Sequence, residues 1–465
     1  MGPVRAMKYL AFFAFLVVGT PLLALVLSRS ARLRNAVIPL LVFLTVKTVD
    51  INFVSMEFYR GTAKGFEVSL IDILALGMLG ALWLRRQQFK LTPWPPGSTV
   101  FWLYFAFSAL SVVNAGEPLF VAFELFKMVR MYLLFWVVSH WIQNPRQLQW
   151  FLRAVALVML YIFYEMLNQK YRMGMWQAKG PFPHQNSLVM YVNLFNCLLF
   201  SYVLNQKRSS AAISLFWLGL LAVGMLCTVF TFSRGGMLFL ALGLALVFVF
   251  SYTPSQISLR KTAVLLLALT MGGAIAWKAS DSIHERFETA PEESMEVRQV
   301  LAIAALRMVA DKPLGIGLNN FGLKINPPYP YGDHIPRKES NDPEEEEEKG
   351  GLVETAYLMV AAEAGWHSLA LYVILLWGFA FRAFRLFFKA QNPVYKALAL
   401  GLAAGQVSIY LETCFEWVLK QSNNFYQLML VFALILVLER LERQSQKQTP
   451  GPRLGSRLAV RKVRH

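Results

Sequence analysis

Apolar residues fall into thirteen long runs, near 8–27, 37–54, 67–84, 99–113, 119–142, 150–168, 187–204, 212–232, 236–251, 262–278, 353–377, 395–414 and 424–438. Most approach the about 20 residues that a helix needs to cross the hydrocarbon core of a bilayer. The period-two alternation over about 10 residues that marks a membrane barrel strand is missing from them. The pattern therefore predicts an all-α polytopic membrane protein with about 12–13 transmembrane helices. The first run follows Arg5 and Lys8 and has no small-x-small cleavage site, so it reads as a retained helix rather than a signal peptide. Without it the count is twelve.

Connections between the runs are short, with one exception. Residues 281–351 form a polar stretch of roughly 70 residues, where connections usually take about 4–6. It divides the chain into an N-terminal bundle of about ten helices (1–278), a large loop (279–352), a C-terminal set of transmembrane helices (353–439) and a basic tail (440–465). Within the loop, 295–310 reads as an amphipathic helix with an apolar stripe of Val297, Val300, Leu301, Ala304 and Met308. Pro313, Gly315 and Gly317 end it in a turn. The acidic run Glu344 to Glu348 reads as a solvated segment. No internal repeat shows, nor the inverted pair of broken helices found in transporters.

Composition agrees with the pattern: 56% of residues are hydrophobic and the mean hydropathy is +0.45. Charge adds direction. The net charge is +17, yet segment 279–352 holds 15 acidic and 8 basic residues, leaving about +24 for the rest. In a soluble protein that excess would suggest nucleic acid; here it orients helices. The connections 28–36, 85–98, 143–149, 205–211, 252–261 and 381–394 carry 14 Lys/Arg and no acid, and the tail adds 8 more. The positive-inside rule makes this side, with the C-terminus, cytoplasmic, and puts the long loop outside. The three cysteines, Cys197, Cys227 and Cys414, lie in apolar runs and read as packing residues.

Candidate chemistry gathers at the outer ends of the runs. In Thr231-Phe-Ser-Arg-Gly-Gly-Met-Leu238, Arg234 sits between two apolar spans, where an ionisable residue is costly and defaults to function. Gly235 and Gly236 would permit a tight turn and close approach of a ligand. The competing reading is an arginine snorkelling to lipid phosphate. Arg298 and Arg307 flank the amphipathic stripe about 180° apart, so they are not expected to grip one phosphate together. Glu354 opens the next apolar helix, either as a carboxylate stabilised by the helix N-terminus or as a base for a hydroxyl. His184, in Gly180-Pro-Phe-Pro-His-Gln-Asn186, has the pKa range for proton transfer. In 119–142, Glu124 would neutralise Lys127 as an i,i+3 pair, leaving Arg130 to face a cavity. Asp72, Glu165 and Glu412 are expected to be buried partners of basic residues.

Together these pieces resemble the O-antigen ligase and polymerase superfamily of bacterial envelope enzymes. The matching motifs are the Gly-Pro-Phe-Pro-His-Gln-Asn loop, Phe232-Ser-Arg-Gly-Gly, the Arg298 helix leading to Pro313-Leu-Gly-Ile-Gly, and Tyr357-Leu358 with Glu363-Ala-Gly365, in that order across 180–375. The resemblance implies a C-type glycosyltransferase fold in the inner membrane. It implies transfer of glycan from a polyprenyl (undecaprenyl) diphosphate carrier to a periplasmic acceptor such as lipopolysaccharide core or a growing glycan. Family ligases have an arginine with a leucine four positions on, matched by Arg234 and Leu238. They also have a histidine with a glycine eleven positions on; Gly365 is present, but position 354 is glutamate. His184, His334 or Glu354 itself would then supply the base.

The chemistry suits these residue types. Breaking the bond between an anomeric carbon and a diphosphate puts charge on the leaving group, which fixed guanidinium groups stabilise. The expected catalytic set is Glu354, Arg234 and His184; the expected substrate-binding set is Arg298, Arg130, Lys127 and Arg307. No metal or cofactor is expected, and the partners are a lipid-linked glycan donor, an acceptor and bilayer lipids. A flippase of lipid-linked glycan, or a non-catalytic assembly partner, is the alternative.

Overall fold

The computed structural model describes residues 9–10, 12–56, 58–88, 91–205, 210–252, 259–278, 292–335 and 351–448. The acidic run Glu344–Glu348 and the tail beyond 448 lie outside the described residues.

The chain is a multi-pass bundle of apolar helices. Among the described residues, eight helices are long and apolar enough to cross a membrane. The elements run α1 (Phe12–Arg29), α2 (Ala31–Leu44), a hairpin of β1 (Asp50–Ser55) and β2 (Gly65–Ser69), α3 (Leu70–Leu84), α4 (Ser98–Leu110), α5 (Pro118–Trp141), α6 (Pro145–Leu167), α7 (Gln185–Asn205), α8 (Ala211–Phe230), α9 (Arg234–Ser251) and α10 (Leu259–Lys278). Then follow α11 (Glu292–Asp311) in the long loop, α12 (Ala356–Lys389), α13 (Pro393–Glu412) and α14 (Ser422–Gln448).

The second apolar run is not one helix. Its helical part starts at Ala31 and stops at Leu44, and Asp50–Ser55 is a strand paired antiparallel with Gly65–Ser69. Asp50-Ile-Asn-Phe alternates polar and apolar residues with period two, and the alternation slips at Val54, where the pairing is irregular. The turn between the first two helices shrinks to Ser30, whose hydroxyl accepts from Leu33 N.

α7 is the buried axis of the bundle, with almost every side chain covered. Close approach makes this possible. A Cβ on Gly401 of α13 would meet Leu198 Cα at 2.6 Å, and one on Gly405 would meet the Leu194 carbonyl at 3.0 Å. Gly401 and Gly405 form the small-xxx-small spacing that lets membrane helices touch backbone to backbone. Ser201 Oγ donates to Ala397 O (2.7 Å) and Ser408 Oγ to Phe239 O (2.6 Å), joining α7, α13 and α9. The N-termini of α7 and α9 and the C-terminus of α13 consequently meet at one end.

α11 covers that end. Leu301, Ala304, Ala305 and Met308 are buried against Met359 and Ala362 of α12, with Ile316, Phe321 and Ile325 completing a small separate core. Of the expected stripe, Val297 is exposed instead. α12 breaks at Gly365, where φ is +85° and ψ 163°. The break frees the carbonyls of Ala362 and Glu363, which accept from Ile316 N (2.9 Å) and Gly317 N (3.1 Å). The Pro-Leu-Gly-Ile-Gly turn and the Glu-Ala-Gly motif are thus two halves of one joint.

Candidate active site

A cavity of about 530 Å³ opens where these elements converge. Its walls come from the start of α7 (His184, Asn186), the start of α9 (Phe232 to Leu238), Arg298 of α11, Glu354, the end of α13 (Glu412) and the loop after it (Glu416, Gln421). Four sequence-predicted residues, His184, Arg234, Arg298 and Glu354, therefore share one cavity although they lie far apart in the chain.

Arg234 is the first residue of α9. Ser233 is the N-cap, its Oγ accepting from Gly236 N at 3.2 Å. The reversal before it is made by Phe232, whose φ is +49°, not by the two glycines. Gly236 serves packing: a Cβ there would meet Val189 Cγ2 at 2.4 Å, and Asn193 Nδ2 donates to its carbonyl. Gly235 faces open space at the cavity. A helix N-terminus with a guanidinium on its first turn is an anion-binding arrangement. Beside it, Trp176 stacks on Phe232 with ring centroids 4.8 Å apart, and the Lys170 ammonium sits 4.8 Å over the Phe232 ring.

Arg298 lies between two carboxylates. Its Nε is 2.5 Å from Glu354 Oε2, a charge contact without hydrogen-bond alignment, and its Nη2 donates to Glu416 Oε1 at 3.3 Å. Asn186 Nδ2 also donates to Glu416 Oε1, at 2.5 Å. The loop is set by Ala356 N, which donates to the carbonyls of Thr413 (3.2 Å) and Glu416 (3.3 Å), so the start of α12 brings Glu354 beside Glu416. Burial pushes the Glu416 carboxyl up to about 7, with Arg298 opposing and Glu354 reinforcing the shift. Burial also raises Glu354, against the pull of Arg298. His184 is the N-cap of α7; Asn186 N donates to its Nδ1 at 3.2 Å. Partial burial, with Lys179 and Arg298 nearby, lowers its pKa.

The other expected substrate ligands lie elsewhere. Lys127 is buried with three acceptors, Glu124 Oε2 (2.6 Å), Thr62 O (2.8 Å) and Lys420 O (3.1 Å), which use all three ammonium donors. Arg130 is buried too. It faces Asp72 (3.4 Å) and Tyr426 Oη (2.9 Å) rather than a cavity. Both corrections have one cause: the hairpin, α14 and Lys420 cover the charged face of α5, so its cations are neutralised inside the protein. Arg307 is tied to the loop, donating to His334 Nδ1 at 3.0 Å, while His334 Nε2 donates to Val300 O. His334 therefore does not reach the cavity. Among the three expected acidic partners, Asp72 pairs with Arg130, Glu165 faces Tyr161, and Glu412 has no hydrogen bond to either oxygen among the described residues. Cys414 is exposed rather than packed.

Glu416 was not singled out by the sequence. The short apolar loop around it, Phe415-Glu-Trp-Val-Leu, hides one acid among large side chains. A signal existed: Glu412 and Glu416 are an i,i+4 acid pair closing an apolar run, which like charges do not favour without cause.

The fold and cavity define a multi-pass membrane protein with guanidinium and carboxylate groups gathered at one end of a helical bundle. Residues 218–373 match the family model described as O-antigen ligase. That match covers about a third of the chain and supports membership of the O-antigen ligase and polymerase superfamily, with a ligase- or polymerase-like function in glycan assembly. The matched stretch contains Arg234, Arg298, Glu354 and the Gly365 break, while His184, Glu412 and Glu416 lie outside it. No curated protein matches the chain significantly.

Proposed function

We propose that this protein is an inner-membrane glycosyltransferase that moves glycan from a polyprenyl diphosphate carrier to a hydroxyl-bearing acceptor on the periplasmic side. The observation that carries this reading is the meeting of Arg234, on the first turn of α9, with Arg298 in one cavity lined by carboxylates. The basic connections at the far end of the bundle, including Arg34 and Arg85, support a periplasmic cavity.

In the reaction, the acceptor oxygen attacks the anomeric carbon as the bond from that carbon to the diphosphate oxygen breaks. The electron pair leaves on the diphosphate. Arg234 and the α9 N-terminus meet the new charge, and Arg298 adds to it through Nη1, which has no hydrogen-bond partner among the described residues. Guanidinium groups thereby supply the charge that a divalent cation supplies in other transferases. A carboxylate of the Glu354–Arg298–Glu416 cluster takes the acceptor proton. Removing one charge-assisted donor from such a site costs about 10²–10³ in turnover.

The test uses purified protein, a synthetic polyprenyl diphosphate glycan, and lipid A core, glycan and peptide acceptors offered separately. Arg234→Ala and Arg234→Lys are both expected to lose transfer by about that factor, because a point charge does not replace a planar fork. Undiminished transfer by both variants would remove the reading. Loss of transfer with carrier flipping intact would exclude a flippase.

A further inference from the structure

Three carboxylates border the cavity, and they are not equivalent. Glu354 is the most accessible, its side chain one-third exposed, and its one charge contact among the described residues is Arg298 Nε. Glu412 is fully buried, with neither oxygen hydrogen-bonded among the described residues. Glu416 combines burial with anchorage. Asn186 and Arg298 both donate to Oε1, and Oε2 makes no hydrogen bond among the described residues. A base needs that arrangement: one oxygen fixed, the other turned to the substrate.

Resting on the transferase reading above, we propose that Glu416 is the base that accepts the acceptor hydroxyl proton, and that Glu354 is a positioning residue that holds Arg298 toward the diphosphate. The acceptor proton passes to Glu416 Oε2 as the acceptor oxygen bonds to the anomeric carbon and the leaving diphosphate takes the electron pair. Water then removes the proton from Glu416.

Charge in the cavity supports the division of roles. Arg298, from α11, is the cation that donates to Glu416; Glu354, just before α12, adds negative charge; Glu412, at the end of α13, is a fully buried carboxyl without a hydrogen bond among the described residues; His184, before α7, and Arg234, on α9, complete the titratable and charged lining. Burial and the neighbouring acid keep Glu416 titrating near neutrality, where a base both ionises and accepts a proton effectively. Its carboxylate form is the active one, so rate should rise with pH through about 7. His184 titrates lower, so this limb should persist in His184→Asn.

The experiment measures transfer by the full-length protein across pH, using the synthetic donor and the acceptor that wild type accepts. Glu416→Gln is expected to lose about 10²–10⁴ in turnover with donor KM little changed, and to lose the limb near neutrality. Formate added to Glu416→Ala should restore part of the rate, which a merely structural carboxylate would not allow. Glu354→Gln should raise donor KM and keep the limb. Wild type whose rate does not rise through about pH 7 would overturn the assignment whether or not the variants fold. So would Glu416→Gln with undiminished turnover, or a limb lost in Glu354→Gln alone. If wild type transfers to no acceptor, the transferase reading fails; if wild type transfers and Glu416→Gln matches it, only the assignment fails.

Discussion

Gly365→Ala is a sharp test of how the cavity is held in shape. At Gly365 the backbone has φ +85° and ψ 163°, a region that only glycine enters readily, and another side chain there costs about 1–3 kcal/mol. A Cβ would also stand 2.4 Å from the Pro313 carbonyl oxygen, a backbone atom that has no rotamer to escape into. Relief requires the helix to straighten. Straightening takes back the Ala362 and Glu363 carbonyls and strands Ile316 N and Gly317 N, at about 1–3 kcal/mol for each buried orphan group. The two orphan groups together cost about 2–6 kcal/mol, a large part of the about 5–15 kcal/mol that folded proteins have in reserve. Glu363 would move with the joint, and its contact with Lys420 at 3.0 Å anchors the loop that bears Glu416. The assay is thermal unfolding in detergent followed by tryptophan fluorescence, with glycan transfer measured on the folded fraction. Gly378→Ala is the control, since its helical site has nothing within 4 Å of a Cβ. Gly365→Ala should melt well below wild type and transfer poorly, while Gly378→Ala should melt at or above it. Equal melting of Gly365→Ala and wild type would refute the joint.

Other variants separate packing from chemistry. Arg130→Met should destabilise by about 3–5 kcal/mol, by leaving Asp72 buried and unpaired, and should leave donor KM of the folded fraction unchanged. Adding Asp72→Asn should recover much of that melting temperature; a raised donor KM would return Arg130 to the substrate site. Gly236→Ala should destabilise by about 1–3 kcal/mol, because Val189 leaves no room, whereas Gly235→Ala, facing open space, should not; equal melting of the two would contradict the packing of α9 on α7.

Much of the fold was legible because membrane helices announce themselves by composition: a long apolar run has few other ways to satisfy its backbone in lipid. The hairpin escaped notice for the same reason. Its strands sit at the end of the bundle and blend into the apolar run before them, and only the polar alternation of Asp50 and Asn52 distinguishes them. Arg234, His184 and Glu354 could be picked out because each is a polar residue at the end of an apolar run, and Arg298 because it flanks the stripe of an amphipathic helix; the tertiary structure puts them together. Lys127 and Arg130 have the same look in sequence. What separates them is the identity of their partners: Lys420, Thr62 and Tyr426 come from distant segments, and no local spacing encodes that meeting. Glu416 was obscured by Phe415 and Trp417, and its role depends on Asn186 and Arg298 arriving from two other elements.

The central claim is that guanidinium groups at this cavity receive a diphosphate. A structure of the protein bound to a polyprenyl diphosphate tests it most directly. The phosphates should lie between Arg234 and Arg298, against the first turn of α9, with the lipid tail leaving toward the bilayer. A headgroup bound elsewhere, or one that touches neither arginine, would contradict the account.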